Sequence, residues 1–206
     1  MKPKFKNRLN KSYKTNDGTI WGSRSVAVVG VIFFRVAEQI LVLAQKRSQK
    51  MDAPGKFCVA SGYLDWDESG KDGLIREVYE ESGLYLPNIE NRKYHLDNNP
   101  FYVKSEPDEH LQNVALNYSG FYDFEGGDWK LLELEKFKND EIEFIKLIPL
   151  KEIDKYEWAF NHDTRIKMAV QHLVHGVFRE YLDDAVKNYD SKDPIHILIN
   201  NKPLYL

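Results

Sequence analysis

Residues 62–84 read GYLDWDESGKDGLIREVYEESGL, and the second half of this stretch gathers carboxylates where folding stability alone would not place them. Glu77, Glu80 and Glu81 are spaced i, i+3 and i+4. The absence of proline from Asp67 to Ser82 and the run Leu74-Ile75-Arg76-Glu77-Val78 predict a helix, which sets all three side chains on one face within about one turn. Each close like-charge pair there costs roughly a few tenths of a kcal/mol. Gly83 is a natural residue to follow the helix end, so the anions also oppose the macrodipole. A divalent cation removes both penalties, and hard oxygen ligands of this kind suit magnesium, with manganese as the alternative. A solvated acidic face is the plainer reading of a charge run. It leaves unexplained why an arginine and two glycines share the register of the glutamates.

That register runs Gly62, five residues, Glu68, seven residues, Arg76-Glu77, Val78, one residue, Glu80-Glu81, one residue, Gly83-Leu84. It resembles the Nudix box, the signature of the Nudix hydrolases. The resemblance implies an α/β fold, a Nudix-type α/β/α sandwich around a mixed β-sheet, and hydrolysis of a nucleoside diphosphate linked to another moiety. It also implies that Glu77, Glu80 and Glu81, with the Gly62 carbonyl, hold Mg2+ or Mn2+, while Glu68 and Arg76 support the metal site through charge-assisted bonds. Gly73 departs from the alanine that often precedes the arginine in this family, and a glycine inside a helix costs roughly 1 kcal/mol relative to alanine. Residues 140–150 (DEIEFIKLIPL) resemble the later Nudix strand, where an acidic residue just before the strand often supplies a further ligand or the general base. Glu141, then Glu143, is the candidate here, although Leu147 stands where tryptophan is usual. Glu80 and Glu141 are the two candidates for general base.

The composition narrows the field further. The chain has 206 residues, 30% of them charged, with a formal net charge of −3, which gives no global electrostatic argument for nucleic acid. Cys58 is the single cysteine, which excludes an internal disulfide and a cysteine zinc cluster and fits a reducing, cytoplasmic setting. A nucleophilic role for it is a weak alternative. No apolar run reaches the roughly 18 residues of a membrane span, and the opening MKPKFKNRLNKSYK lacks the apolar region of a secretory signal. Six of those first 14 residues are basic and none is acidic. Residues 1–18 therefore read as a basic arm ending in the turn signal Asn16-Asp17-Gly18, either solvated or touching a phosphate backbone, and residues 19–206 read as one domain.

Along the chain, Ser25 to Phe34 and Ile40 to Ala44 are β-branched and apolar, as buried strands are. Phe57 to Ser61, Pro100 to Lys104 and Gln112 to Phe124 are further strands, the last with Gly120 as a bulge signal. Arg47 and Lys50 follow the second strand, where they can meet an anionic substrate or simply be solvated. Trp66, within the box, can stack on a base or pack as a lid. Ser105 to His110 is a polar connection open to substrate. Ile166, Ala169, Val170, Leu173, Val177 and Tyr181 form the apolar stripe of a last helix. Just before it, residues 159–163 (AFNHD) resemble a phrase found in a Nudix group that includes ADP-ribose-type pyrophosphatases; His162 itself reads as bonding a backbone group or capping the helix. His172 and His175 lack an evident third ligand and read as surface residues. Residues 195–206 suggest a terminal hairpin whose free edge would serve closure or a homodimer. The expected partner is a small nucleotide, ADP-ribose-like. The basic arm supports an RNA 5′ end as the alternative, and a nucleotide sensor without cleavage is the alternative of another class. No glycine-rich phosphate loop competes with these readings.

Overall fold

The computed structural model describes residues 10–36, 39–89, 93–107, 112–124, 134 and 139–177. In chain order the strands and helices are β1 (Lys11–Thr15), β2 (Gly18–Gly22), β3 (Val26–Val36), β4 (Gln39–Arg47), β5 (Phe57–Cys58), β6 (Ala60–Tyr63), α1 (Gly70–Ser82), β7 (Lys93–Leu96), β8 (Tyr102–Lys104), β9 (Val114–Phe124), β10 (Ile142–Pro149) and α2 (His162–His172). The main sheet has the order β10-β4-β3-β9-β7, with β5, β6 and β8 joined to β4, β3 and β9. It is mixed because β3 and β9 run parallel while the other pairs are antiparallel.

The apolar run of β3 is explained by burial on both faces. Val28, Ile32 and Phe34 point to one side, where Leu74 and Val78 of α1 cover them. Val29, Val31 and Phe33 point to the other, against Ile166, Ala169 and Val170 of α2. Strand alternation thus feeds two separate cores, and each helix closes one of them. The expected sandwich around a mixed sheet is present.

Helix α1 begins where Ser69 caps it: the Asp72 amide donates to Ser69 Oγ at 3.2 Å. It ends at Gly83, whose φ of 70° is the left-handed conformation that glycine adopts without a Cβ clash. Helix α2 continues the predicted stripe through Leu173 and then widens into a π-turn over Leu173–Val177. Among the described residues no helix is long and apolar enough to cross a membrane.

Several expectations change. Gly120 marks no bulge: β3 and β9 keep an unbroken register with Ile32 opposite Gly120. A Cβ there would stand 3.0 Å from Ile32 Cδ1 and 3.2 Å from Leu96 Cδ1, so the glycine serves close packing. Asn16-Asp17-Gly18 is not a divider but the turn of a hairpin pairing Lys11 with Gly22 and Thr15 with Gly18, and a boundary at residue 18 would cut β1 from its partner. The short edge strand β7 has no counterpart among the expected strands. The start of the basic arm (1–9), residues 108–110 of the polar connection, Tyr181 and the terminal hairpin (195–206) lie outside the described residues.

Candidate active site

Arg76, in the middle of α1, is the hub of the box. Its Nε and Nη2 form a fork on Glu68, at 3.0 and 2.7 Å. Nη1 donates to Glu77 at 2.7 Å and Glu80 at 2.9 Å, and Nη2 also reaches the Tyr63 carbonyl at 2.8 Å. One guanidinium therefore fixes three carboxylates and the end of β6, a geometry that the planar fork allows and a lysine would not. Glu68 also accepts from the Asp65 amide at 2.9 Å. The Arg76 bonds hold the Glu68 carboxyl below the usual range, and the same partners push the arginine above its already high value.

Burial works the other way on Glu77 and Glu81. Glu77 is buried, and desolvation raises its pKa despite Arg76. Glu81, 7% exposed, accepts from Gln45 Nε2 at 2.7 Å and the Ser61 amide at 2.9 Å. Burial first, then the charges of Glu77 and Glu141, push it up to about 8. The three box carboxylates do not converge on a single point, since Glu77 and Glu80 lean towards Arg76 while Glu81 turns to Gln45 and Ser61.

Two glycines shape the floor. A Cβ on Gly62 would stand 2.1 Å from Glu77 Oε1, so only glycine lets this carboxylate lie against the β6 backbone. At Gly73, a Cβ would meet Leu64 Cδ2 at 2.5 Å and Glu68 Oε1 at 2.9 Å. The departure from alanine thus seats the helix close to the loop that carries Glu68.

The cleft is lined by Glu77, Glu80, Glu81, Asn139, Asp140 and Glu141. Asn139, which the sequence did not flag, holds the segment before β10 against α1: its Nδ2 donates to the Glu80 carbonyl at 3.2 Å, and its Oδ1 accepts from the Glu141 and Ile142 amides at 2.9 and 2.8 Å. Pairing of β4 with β10 completes the placement, with the Ser48 amide donating to the Glu141 carbonyl at 2.8 Å. Glu141 is exposed along this cleft. Glu143 sits at the register shift of β10 and pairs with Lys46 at 3.3 Å, away from the lining residues.

The donor set fits a hard divalent cation. It consists of carboxylates and an amide oxygen, and burial, with a smaller contribution from the charges of Glu77 and Glu141, disfavours the ionised form of Glu81, a penalty that a bound cation would offset.

Arg47 requires correction as a substrate contact. It is buried, its Nε donates to the Asp52 carbonyl at 2.5 Å, and its guanidinium lies 4.9 Å from the Phe160 ring. It holds the loop after β4 and does not line the cleft. Lys50 pairs with Asp140 at 3.1 Å on the rim. Trp66 is 89% exposed, which leaves its ring free to stack and excludes a packed lid in this conformation. His162 does bond a backbone group: its Nδ1 accepts from the Val59 amide at 3.1 Å, and burial lowers its pKa to about 3. Cys58 is buried, with a thiol raised to about 11, and is no nucleophile in the folded chain. His172 is not a surface residue without partners; its Nε2 meets Asp97 Oδ1 at 3.0 Å.

The NUDIX domain profile matches residues 24–168. No curated protein matches the chain. Among solved structures, the NUDIX domain of Shewanella oneidensis NrtR complexed with ADP ribose is 19% identical, with 73% of this chain and 89% of that one covered and a TM-score of 0.56. A mutT/nudix family protein from Listeria innocua is 20% identical, covering 73% and 94%, with a TM-score of 0.55. A C. elegans Ap4A hydrolase is 15% identical, covering 73% and 98%, with a TM-score of 0.52.

Proposed function

Because this chain belongs to the Nudix family, we propose that it is a pyrophosphohydrolase that cleaves the pyrophosphate linkage of a nucleoside diphosphate derivative, ADP-ribose-like, with Mg2+ or Mn2+. The observation that carries this reading is the acidic cleft in which one arginine orients Glu68, Glu77 and Glu80 beside the buried Glu81. The choice of substrate class draws on the solved NrtR NUDIX domain that holds ADP ribose. The residue phrase around His162 adds no support, since that histidine is spent on the Val59 amide.

Glu77, Glu80 and Glu81, with the Gly62 carbonyl, would hold the metal. When bound, it would neutralise charge on the pyrophosphate oxygens and make a water more acidic. Arg76 keeps Glu77 and Glu80 in their rotamers, so little reorganisation is needed when substrate arrives. Glu68 keeps Arg76 in place in turn. The proton lost by the attacking water passes to a carboxylate exposed along the cleft, Glu80 or Glu141. Trp66, exposed within the box, offers a face for the base or sugar.

The test is magnesium-dependent product release from ADP-ribose, NADH, nucleotide sugars, dinucleoside polyphosphates, nucleoside triphosphates and triphosphorylated RNA, with Glu80→Gln in parallel. Turnover of the ADP-ribose class that is lost in the variant is the expected result. Release from RNA alone would instead favour the 5′-end reading. Tight nucleotide binding with no turnover would make the domain a sensor and overturn the proposal.

A further inference from the structure

Away from the acidic cleft, three side chains that no sequence pattern connects meet at one point. His95 lies on the edge strand β7, Asp97 just after it, and His172 at the last position of α2. Asp97 Oδ1 stands 2.7 Å from His95 Nε2 and 3.0 Å from His172 Nε2, and the three ligand atoms lie within 4.8 Å of one another. We propose that His95, Asp97 and His172 form a second cation site, for a zinc-class divalent ion, that ties the sheet edge to α2.

The donor chemistry selects the ion. Two imidazoles and one carboxylate suit zinc and its neighbours, whereas magnesium prefers oxygens alone. In a tetrahedral zinc site, bonds of about 2.0–2.1 Å set neighbouring ligand atoms roughly 3.3 Å apart. Both separations from Asp97 Oδ1, 2.7 and 3.0 Å, are shorter than that, and the three ligand atoms lie within 4.8 Å of one another, so the rings must shift about Oδ1 to admit the ion. The rings then carry their protons on Nδ1 and present Nε2 lone pairs.

The surroundings are those of a held ligand set. Asp97 is 5% exposed, and its other oxygen accepts from the Ser119 amide at 2.6 Å and Ser119 Oγ at 2.8 Å. That fixes Oδ2 and leaves Oδ1 as a single donor, the kind of outer support that orients metal ligands. The His172 ring is stacked on Phe101, with centroids 5.2 Å apart and planes at 19°. The histidine side chains are 22% and 30% exposed, so one side of the cluster opens to solvent. This gives the ion an entry path and leaves its fourth position to water or another ligand.

The same three residues can also rest as a hydrogen-bonded triad with no ion, and the experiment separates the two. The untagged full chain is stripped with a chelator, saturated with Mg2+ to fill the oxygen site, and titrated with Co2+ and then Zn2+. Expected is one equivalent of Co2+ with the visible absorption of four- or five-coordination, displaced by Zn2+ and retained in Glu80→Gln. His172→Ala and His95→Ala each weaken Zn2+ binding by about 100-fold or more, beyond the 10–100-fold typical of losing only a supporting contact. Melting curves taken in chelator show which variants remain folded, and Asp97→Asn gives the same comparison if either alanine variant is not. Weak octahedral Co2+ absorption, binding unchanged in the folded histidine variants, or binding lost in Glu80→Gln would each overturn the proposal.

Discussion

Replacing Glu81 with glutamine separates the cost of its charge from the value of its hydrogen bonds. The new side chain can accept through its own carbonyl from Gln45 Nε2 and the Ser61 amide, which Glu81 now does at 2.7 and 2.9 Å. What it lacks is a proton to lose. Burial raises the Glu81 carboxyl from an ordinary 4.5 to about 8, so between those values the folded chain keeps a proton that the unfolded chain has released. Stability therefore falls as pH rises through this window and levels off above it, the reverse of the usual salt-bridged carboxylate. At about 1.4 kcal/mol per tenfold change in proton affinity, the full rise corresponds to an upper bound of about 5 kcal/mol. Relaxation and water penetration reduce this, and about 2–4 kcal/mol is expected. Urea denaturation in chelator at pH 5, 7 and 9 measures it. Other titrating groups are shared and largely cancel in the difference. The Glu81→Gln variant should lie within about 1 kcal/mol of wild type near pH 5 and exceed it by that margin at pH 9. Added Mg2+, binding only the folded wild type, should then narrow the gap. A gap that does not change with pH, or a variant less stable at pH 9, would refute the argument.

Arg76→Lys keeps the charge but loses the fork on Glu68 and the simultaneous reach to Glu77, Glu80 and the Tyr63 carbonyl. Its turnover should fall about 10–100-fold, read from initial rates at saturating Mg2+, with retention of wild-type rates counting against the positioning role. Cys58, buried and with its thiol raised to about 11, should resist an aromatic disulfide reagent at pH 8 in the native chain and react with one equivalent after denaturation. Rapid labelling of the folded protein would show that the thiol is accessible after all.

What the sequence disclosed and what it withheld divide by the range over which each residue acts. The glutamates of α1, Arg76 and Gly83 are legible because helix geometry alone sets their mutual positions, and Gly62 and Gly73 are fixed by contacts to Glu77 and Glu68 within the same stretch. Strand identity in β3, β4 and β9 follows from apolar content, but nothing local says that Gly120 packs against Ile32 on a parallel neighbour and therefore needs no bulge. Arg47 is opaque for the same reason. A cation after a strand looks solvated or substrate-bound until Phe160, from the far end of the domain, is laid over it. Asn139 and Gln45 are polar residues of ordinary appearance whose roles arise only when β10 docks beside β4 and α1 closes over both. The Asp97–His172 contact joins residues 75 positions apart, one just after a strand too short to announce itself and one from the end of an amphipathic helix. Periodicity could show that α2 packs on the sheet; it could not show how far along the sheet, and a shift of one turn, about 5.4 Å, would carry His172 out of reach of Asp97. The second cluster is therefore a product of packing register, which is why its metal-binding capacity has to be tested on the folded chain and not on peptides bearing the two histidines.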